Sequence, residues 1–217
     1  MPEQYKGKNY TCIFPWLTED GIAYMQFNRP KAFNAVNQIL MEESAECFAL
    51  MNDDPEVKVI IICGDERAFA AGADIKHVAT MNAFEARNYD DWVHKTIFAV
   101  EDNHKPTIAA VRGLALGGGL EVVLACDIRI VAEDATLGLP EINLGIFPGG
   151  GATQRMPRNT SMCLAKQYIF TGDFFKAEQA LQMGIINAVV PADQVMDAAL
   201  KMAKKIAKKS PLALREA

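Results

Sequence analysis

The 217-residue chain is poor in the residues that build metal centres, disulfide frameworks and nucleic-acid surfaces. It has only three histidines, His77, His94 and His104, which do not cluster, and no pair of Cys or His has the spacing of a zinc site. No metal is therefore expected. The five cysteines (12, 47, 63, 126 and 163) are odd in number and scattered, mostly in apolar runs. They are expected to be reduced residues of a cytoplasmic protein. Positive charge is in deficit: the net charge is -5, and no basic cluster is interleaved with aromatics, which argues against a nucleic-acid partner. Lys204-Lys205 and Lys208-Lys209 form the densest basic stretch, and their alternation with apolar residues reads as a solvated helix face. A long pure apolar run is also missing. The best candidate, residues 107–132, is broken by Arg112, Glu121, Asp127 and Arg129, so no membrane span is expected. Residues 1–8 are polar and do not read as a signal peptide.

What remains is a globular composition, 50% apolar and 23% charged, of a length that suits one well-filled core. Apolar periodicity predicts strands over 21–27, 57–63, 107–111, 128–132 and 188–190. It predicts helices over 37–52, 83–101, 118–126, 161–170, 176–183 and 193–209. Strand and helix alternate, which is the signature of an α/β fold. Ser210 and Pro211 read as the cap and first residue of another helix. That helix stops after about two turns, so the chain reads as cut short at its C-terminus.

Two acids stand in segments that would otherwise be apolar or glycine-rich. Glu121 lies in Leu114-Ala-Leu-Gly-Gly-Gly-Leu-Glu-Val-Val-Leu-Ala-Cys126, and Glu141 in Gly138-Leu-Pro-Glu-Ile-Asn-Leu-Gly-Ile-Phe-Pro-Gly149. A carboxylate removed from water finds a partner or takes up a proton. Two such groups facing one cavity can move protons on and off a substrate. Two donor loops precede them. Phe69-Ala-Ala-Gly-Ala-Asp74 and Gly117-Gly-Gly119 leave backbone N–H groups accessible, the second at a helix start. Together they could form an oxyanion hole. Structural uses stay open for each motif: tight turns for the loops, an ion pair with Arg129 or Arg155 for Glu121, a loop cap for Glu141. A phosphate-cradling loop does not fit, because Leu120-Glu121 follows Gly119 where Lys-Ser/Thr would be needed. Nor does a dinucleotide loop, since Val122 stands in place of the third glycine.

These motifs, in this order, resemble the crotonase family, the enoyl-CoA hydratase/isomerase superfamily. The matching segments are Asn28-Arg-Pro-Lys-Ala-Phe-Asn-Ala35, Ala68-Phe-Ala-Ala-Gly-Ala-Asp-Ile-Lys76, Gly113-Leu-Ala-Leu-Gly-Gly-Gly-Leu-Glu121, Cys126-Asp-Ile128, Pro140-Glu-Ile-Asn-Leu-Gly145, Pro148-Gly-Gly-Gly-Ala-Thr-Gln-Arg155 and Thr171-Gly172. The resemblance implies a spiral of ββα turns: a core domain over 1–190, then the start of a C-terminal helical region over 191–217. It implies an acyl-CoA thioester as substrate, with coenzyme A carried by the substrate and no separate cofactor. The thioester oxygen would sit between the N–H groups of Ala73 and Gly118. The two glutamates imply hydration of a trans-2-enoyl-CoA, with Glu121 activating water and Glu141 delivering a proton to C2. Lys31 and Lys76 would meet the CoA phosphates, and the backbone near Ala32, Asn34 and Ala71 would line the rest of CoA. The acyl pocket would be lined by residues 78–92 and by later helices. A homotrimer or a dimer of trimers is implied, as is a place in fatty-acid metabolism. An enoyl-CoA isomerase or a carnitinyl-CoA type dehydratase is the alternative within the family. A non-catalytic acyl-CoA-binding subunit is the alternative outside catalysis.

Overall fold

The structure is a computed structural model and describes residues 2–217. An antiparallel pair opens it, β1 (Ile13–Leu17) and β2 (Ile22–Phe27), followed by α1 (Gln38–Asp53). Asn37 caps α1 by accepting from the Leu40 N–H at 3.0 Å. The chain then repeats one pattern. β3 (Val59–Cys63) and β4 (Ala68–Ala70) lead through the short α2 (Ile75–Val78) into α3 (Ala83–Glu101). β5 (Thr107–Val111) and β6 (Leu114–Leu116) lead into α4 (Gly118–Ala125). β7 (Ile128–Ala132) and β8 (Thr136–Gly138) lead through a 3-10 turn, Pro140–Leu144, into α5 (Ala152–Asn159). These are the expected ββα turns. Beyond them come α6 (Met162–Thr171), β9 (Phe174–Lys176), α7 (Ala177–Gln182), β10 (Ala188–Val190), α8 (Val195–Ile206) and α9 (Pro211–Glu216).

Each turn contributes one strand to each of two sheets. The larger sheet has the order β1-β2-β3-β5-β7-β10 and is parallel apart from the β1/β2 pair. The smaller has the order β4-β6-β8-β9, with only β9 antiparallel. Strands β3 and β5 are buried at every position, as their unbroken apolar runs require in a covered parallel sheet. Helix α8 covers that sheet, with Val195, Ala199 and Ala203 fully buried and contacts to β3, β5 and β7. The sequence did not point to β1: Pro15 spoils its pattern. The strand lies at the sheet edge, where a missing N–H is tolerated.

Helix α4 sits where the site will be. It packs on β4 and β6 of the small sheet and on α3 and α5. Every residue from Gly119 to Ala125 is buried. A helix apolar on all sides belongs in an interior, and this one takes Glu121 with it.

Candidate active site

Glu121 is 3% exposed. Its Oε1 accepts the backbone N–H of Ala152 at 3.0 Å. Burial raises its pKa above the ordinary carboxylate range. The N–H groups of Ala152 and Gly150 oppose that rise, as do the charges of Arg155 and His94. Neither arginine considered from the sequence forms an ion pair with it. Arg129 instead donates to the carbonyls of Val123, Leu124, Cys126 and Ile185 and to the Asn159 side chain, closing the C-terminal end of α4. Arg155 pairs with Glu101.

Glu141 lies in the first turn of the 3-10 segment after β8. Its Oε2 is sealed from solvent and has no hydrogen-bond partner, so it does not serve to cap its loop through that atom. Burial pushes its pKa up to about 7, with the nearby Glu121 charge adding to the rise. Burial raises both carboxyls, and the two differ in how it is opposed. Backbone N–H groups of Ala152 and Gly150 and the nearby positive charge oppose it at Glu121, whereas at Glu141 only its own backbone N–H does, and Oε2 has no partner.

The two donor loops meet beside Glu141. A Cβ on Gly117 would lie 3.1 Å from Glu141 Oε1 and 3.6 Å from the Gly72 Cα. Backbone pairing holds the first loop on both sides of Ala73. Gly72 O accepts from the Val36 N–H at 2.8 Å, and the Asp74 N–H donates to Val36 O at 2.9 Å. Arg29 ties the same segments by its bonds to Asp74 at 3.1 Å and to the Ala35 carbonyl. The N–H of Ala73 itself has no acceptor among the described residues, and the residue is exposed. The N–H of Gly118 is likewise free, at the start of α4, and a Cβ there would meet nothing within 4 Å. Gly119 is fixed by a close approach instead: any Cβ would overlap the Ala70 carbonyl oxygen, so α4 packs directly on β4. Two unpaired donors on loops that meet beside Glu141 suit an oxygen that gains negative charge, with a carboxyl at hand to move protons.

The remaining sequence candidates fall around this centre. Lys31 and Lys76 are exposed on the 3-10 turn Pro30–Ala32 and on α2. Ala32 and Ala71 are half-buried, and Ala71 gives its N–H to Phe33 O. The Asn34 side chain is consumed by the fold: it accepts from Arg29 N at 2.8 Å and donates to Ala68 O at 2.8 Å. Its backbone N–H donates to Arg29 O at 3.0 Å, and the residue is fully buried. His77 is exposed and meets Tyr89 edge-on. The sequence reading missed the role of residues 149–152. Their signal was the glycine run after Pro148, which supplies the backbone donors for Glu121. Among the described residues no group of three or more His, Cys, Asp or Glu could hold a metal ion, and no helix is long and apolar enough to cross a membrane.

Comparison with known proteins places the chain among relatives. Residues 17–217 match the family model described as enoyl-CoA hydratase/isomerase. The chain is 41% identical over 198 residues to a crotonyl-CoA hydratase of Syntrophomonas wolfei, covering 91% of this chain and 76% of that protein. It is 42% identical, at the same coverage, to a short-chain-enoyl-CoA hydratase of Clostridium acetobutylicum. The crystal structure of an enoyl-CoA hydratase from Bacillus anthracis superposes with a TM-score of 0.92 at 38% identity, covering 94% of this chain and 80% of that one.

Proposed function

The chain belongs to the enoyl-CoA hydratase/isomerase family, and from that membership we propose that it adds water reversibly across the C2=C3 bond of a short trans-2-enoyl-CoA. The observation that carries the reading is the pair of glutamates in unlike environments beside two free N–H groups. The thioester oxygen accepts from Ala73 and Gly118, which stabilises the enolate-like charge that develops as C3 is attacked. Glu121, whose ionised form is favoured by backbone donors against the pull of burial, takes a proton from water as the water oxygen bonds to C3. Glu141, held protonated by burial, gives its proton to C2. The product is a 3-hydroxyacyl-CoA, and the pair ends with the proton on the other carboxyl. The short acyl chain is proposed because the two relatives above are a crotonyl-CoA hydratase and a short-chain-enoyl-CoA hydratase.

Direct assay tests this. Crotonyl-CoA incubated with the protein should lose the ultraviolet absorbance of its conjugated thioester, and the product should gain the mass of one water. Binding without turnover would favour the non-catalytic reading.

The pH dependence follows from the signs of the two shifts. The active form carries one proton on the pair. At acid pH Glu121 becomes protonated and loses its capacity as a base. At alkaline pH the pair loses its last proton, with a midpoint near the value of about 7 to which Glu141 is raised. A bell-shaped kcat/KM is expected, falling above neutrality. Its shape should be the same for hydration and dehydration, because the reaction consumes no net proton. Initial rates measured in both directions over the same buffers check this.

We further propose that Lys31 and Lys76 bind the CoA phosphates, since both are exposed beside the loop that carries Ala73. Self-association, as a trimer or a dimer of trimers, is proposed to cover exposed apolar side chains near the Glu141 turn and α6. Ile142, Leu144, Phe147, Phe170 and Phe174 are more than 40% exposed. All five cysteines are free, which suits the reducing cytoplasm proposed as its setting.

A further inference from the structure

The Glu121 carboxylate depends on backbone donors from a run of three glycines, Gly149–Gly150–Gly151, followed by Ala152. Glycine loses more freedom on ordering than any other residue, so such a run does not hold its N–H groups in place unaided. In this structure all three glycine carbonyls are occupied. Gly149 O accepts from His94 Nε2 at 2.7 Å. Gly150 O accepts from Arg155 Nη1 at 2.8 Å. Gly151 O accepts the N–H groups of Gln154 at 3.0 Å and Arg155 at 2.9 Å, the first turn of α5.

The peptide unit is planar and trans, so fixing a carbonyl fixes the direction of the N–H on the same unit. The carbonyl of Gly149 shares its peptide with the N–H of Gly150. The carbonyl of Gly151 shares its peptide with the N–H of Ala152. The Ala152 N–H donates to Glu121 Oε1 at 3.0 Å, and Gly150 packs against the other carboxyl oxygen, where its N–H favours the ionised form. Arg155 is held in turn by Glu101, through Nε to Oε1 at 3.0 Å and through Nη2 to Oε2. His94 and Glu101 both stand on α3, so one helix governs both clamps.

We propose that His94 is a positioning residue: its hydrogen bond to Gly149 O, together with the Arg155–Glu101 pair on Gly150 O, locks the glycine turn that carries the Gly150 and Ala152 N–H groups beside Glu121. The inference rests on the hydratase reading of Glu121. His94 is the informative half, because it is partly exposed and its replacement leaves no buried charge unpaired. The charged and titratable groups that act on Glu121 are Glu141 from the 3-10 turn, Arg155 from α5 and His94 from α3; Asp90 stands beside His94, and Glu101 pairs with Arg155.

The test compares His94→Ala with His94→Gln, whose amide can still donate to Gly149 O but carries no charge. Two readouts are needed. One is kcat and KM for crotonyl-CoA hydration. The other is the titration of the Glu121 carboxyl by carbon-13 NMR in substrate-free protein, its resonance assigned by loss in Glu121→Gln. His94→Ala is expected to lower kcat about tenfold, the scale set by one hydrogen bond. It should leave KM within about twofold and move the Glu121 midpoint upward, since a donor to the charged form is loosened. His94→Gln is expected to restore both. Wild-type kcat and midpoint in the alanine variant would overturn the proposal. So would a glutamine variant that falls with alanine, because the charge and not the hydrogen bond would then matter. A wild-type protein that hydrates nothing would count against the hydratase reading alone, and the NMR titration would still judge the clamp.

Discussion

Replacing Glu121 by Gln is expected to lower kcat for hydration by about 10²–10⁴-fold, the usual contribution of a positioned acid or base. The substitution is nearly isosteric. A glutamine carbonyl can still accept the Ala152 N–H, now at 3.0 Å from Oε1, so the turn and α4 keep their places. What is lost is the capacity to take a proton from water. KM should change little, because in the proposed mechanism the thioester oxygen rests on Ala73 and Gly118 and not on this side chain. Stability should hold or rise, since a buried ionisable group gives way to a neutral one. Steady-state kinetics beside a thermal melt separates these outcomes. A stable variant with wild-type kcat would remove Glu121 from the water-activating role. If the variant still moved a double bond between C3 and C2, the isomerase reading would gain instead.

The second large effect is expected at a residue with no side chain. A Cβ on Gly150 would lie 2.5 Å from Glu121 Oε2 and 2.5 Å from Ile97 Cδ1. Something must move: Ile97 is buried at 3% exposure, and any shift of Glu121 pulls it off the Ala152 N–H. Gly150→Ala therefore displaces the carboxylate or opens the turn. A misplacement of about 1 Å at a reacting group can cost roughly 10²-fold, and the loss should fall on kcat. Gly118→Ala is the contrast. Nothing lies within 4 Å of a Cβ there, so the fold should accept it. Kinetics and circular dichroism on both variants check the pair. A fully active Gly150→Ala protein would mean that Glu121 does not need its present position.

Much of this was legible in the sequence, for identifiable reasons. Helix α3 begins and ends at the residues expected, because Asn82 and Glu85 form a reciprocal capping box and its apolar face is periodic. Strands β3 and β5 announced themselves as unbroken branched apolar runs. Glu121 and Glu141 were visible because an acid in such company must be compensated. The short strands β4, β6, β8 and β9 were not legible, since three residues have no period to read; β10, equally short, showed only because Ala188-Val-Val190 is an apolar, branched run. Nor was the partner of Glu121 legible. A search among charged side chains led to Arg129 and Arg155, but the donor is a backbone N–H, which every residue but proline carries. His94 was passed over for a related reason. Its partner is the carbonyl of a glycine 55 positions away, a contact that only the packing of α3 against the 149–151 turn creates.

The central claim is a division of labour: Glu141 moves the proton at C2, and Glu121 activates water at C3. A saturated acyl-CoA separates the two, because it has protons at C2 and no position for water to attack. The direct measurement is exchange of the C2 protons of butyryl-CoA in deuterated water, followed by proton NMR, with wild type, Glu121→Gln and Glu141→Gln. The account predicts exchange in wild type, its retention in Glu121→Gln and its loss in Glu141→Gln. Exchange retained in Glu141→Gln and lost in Glu121→Gln would contradict it and reverse the two roles.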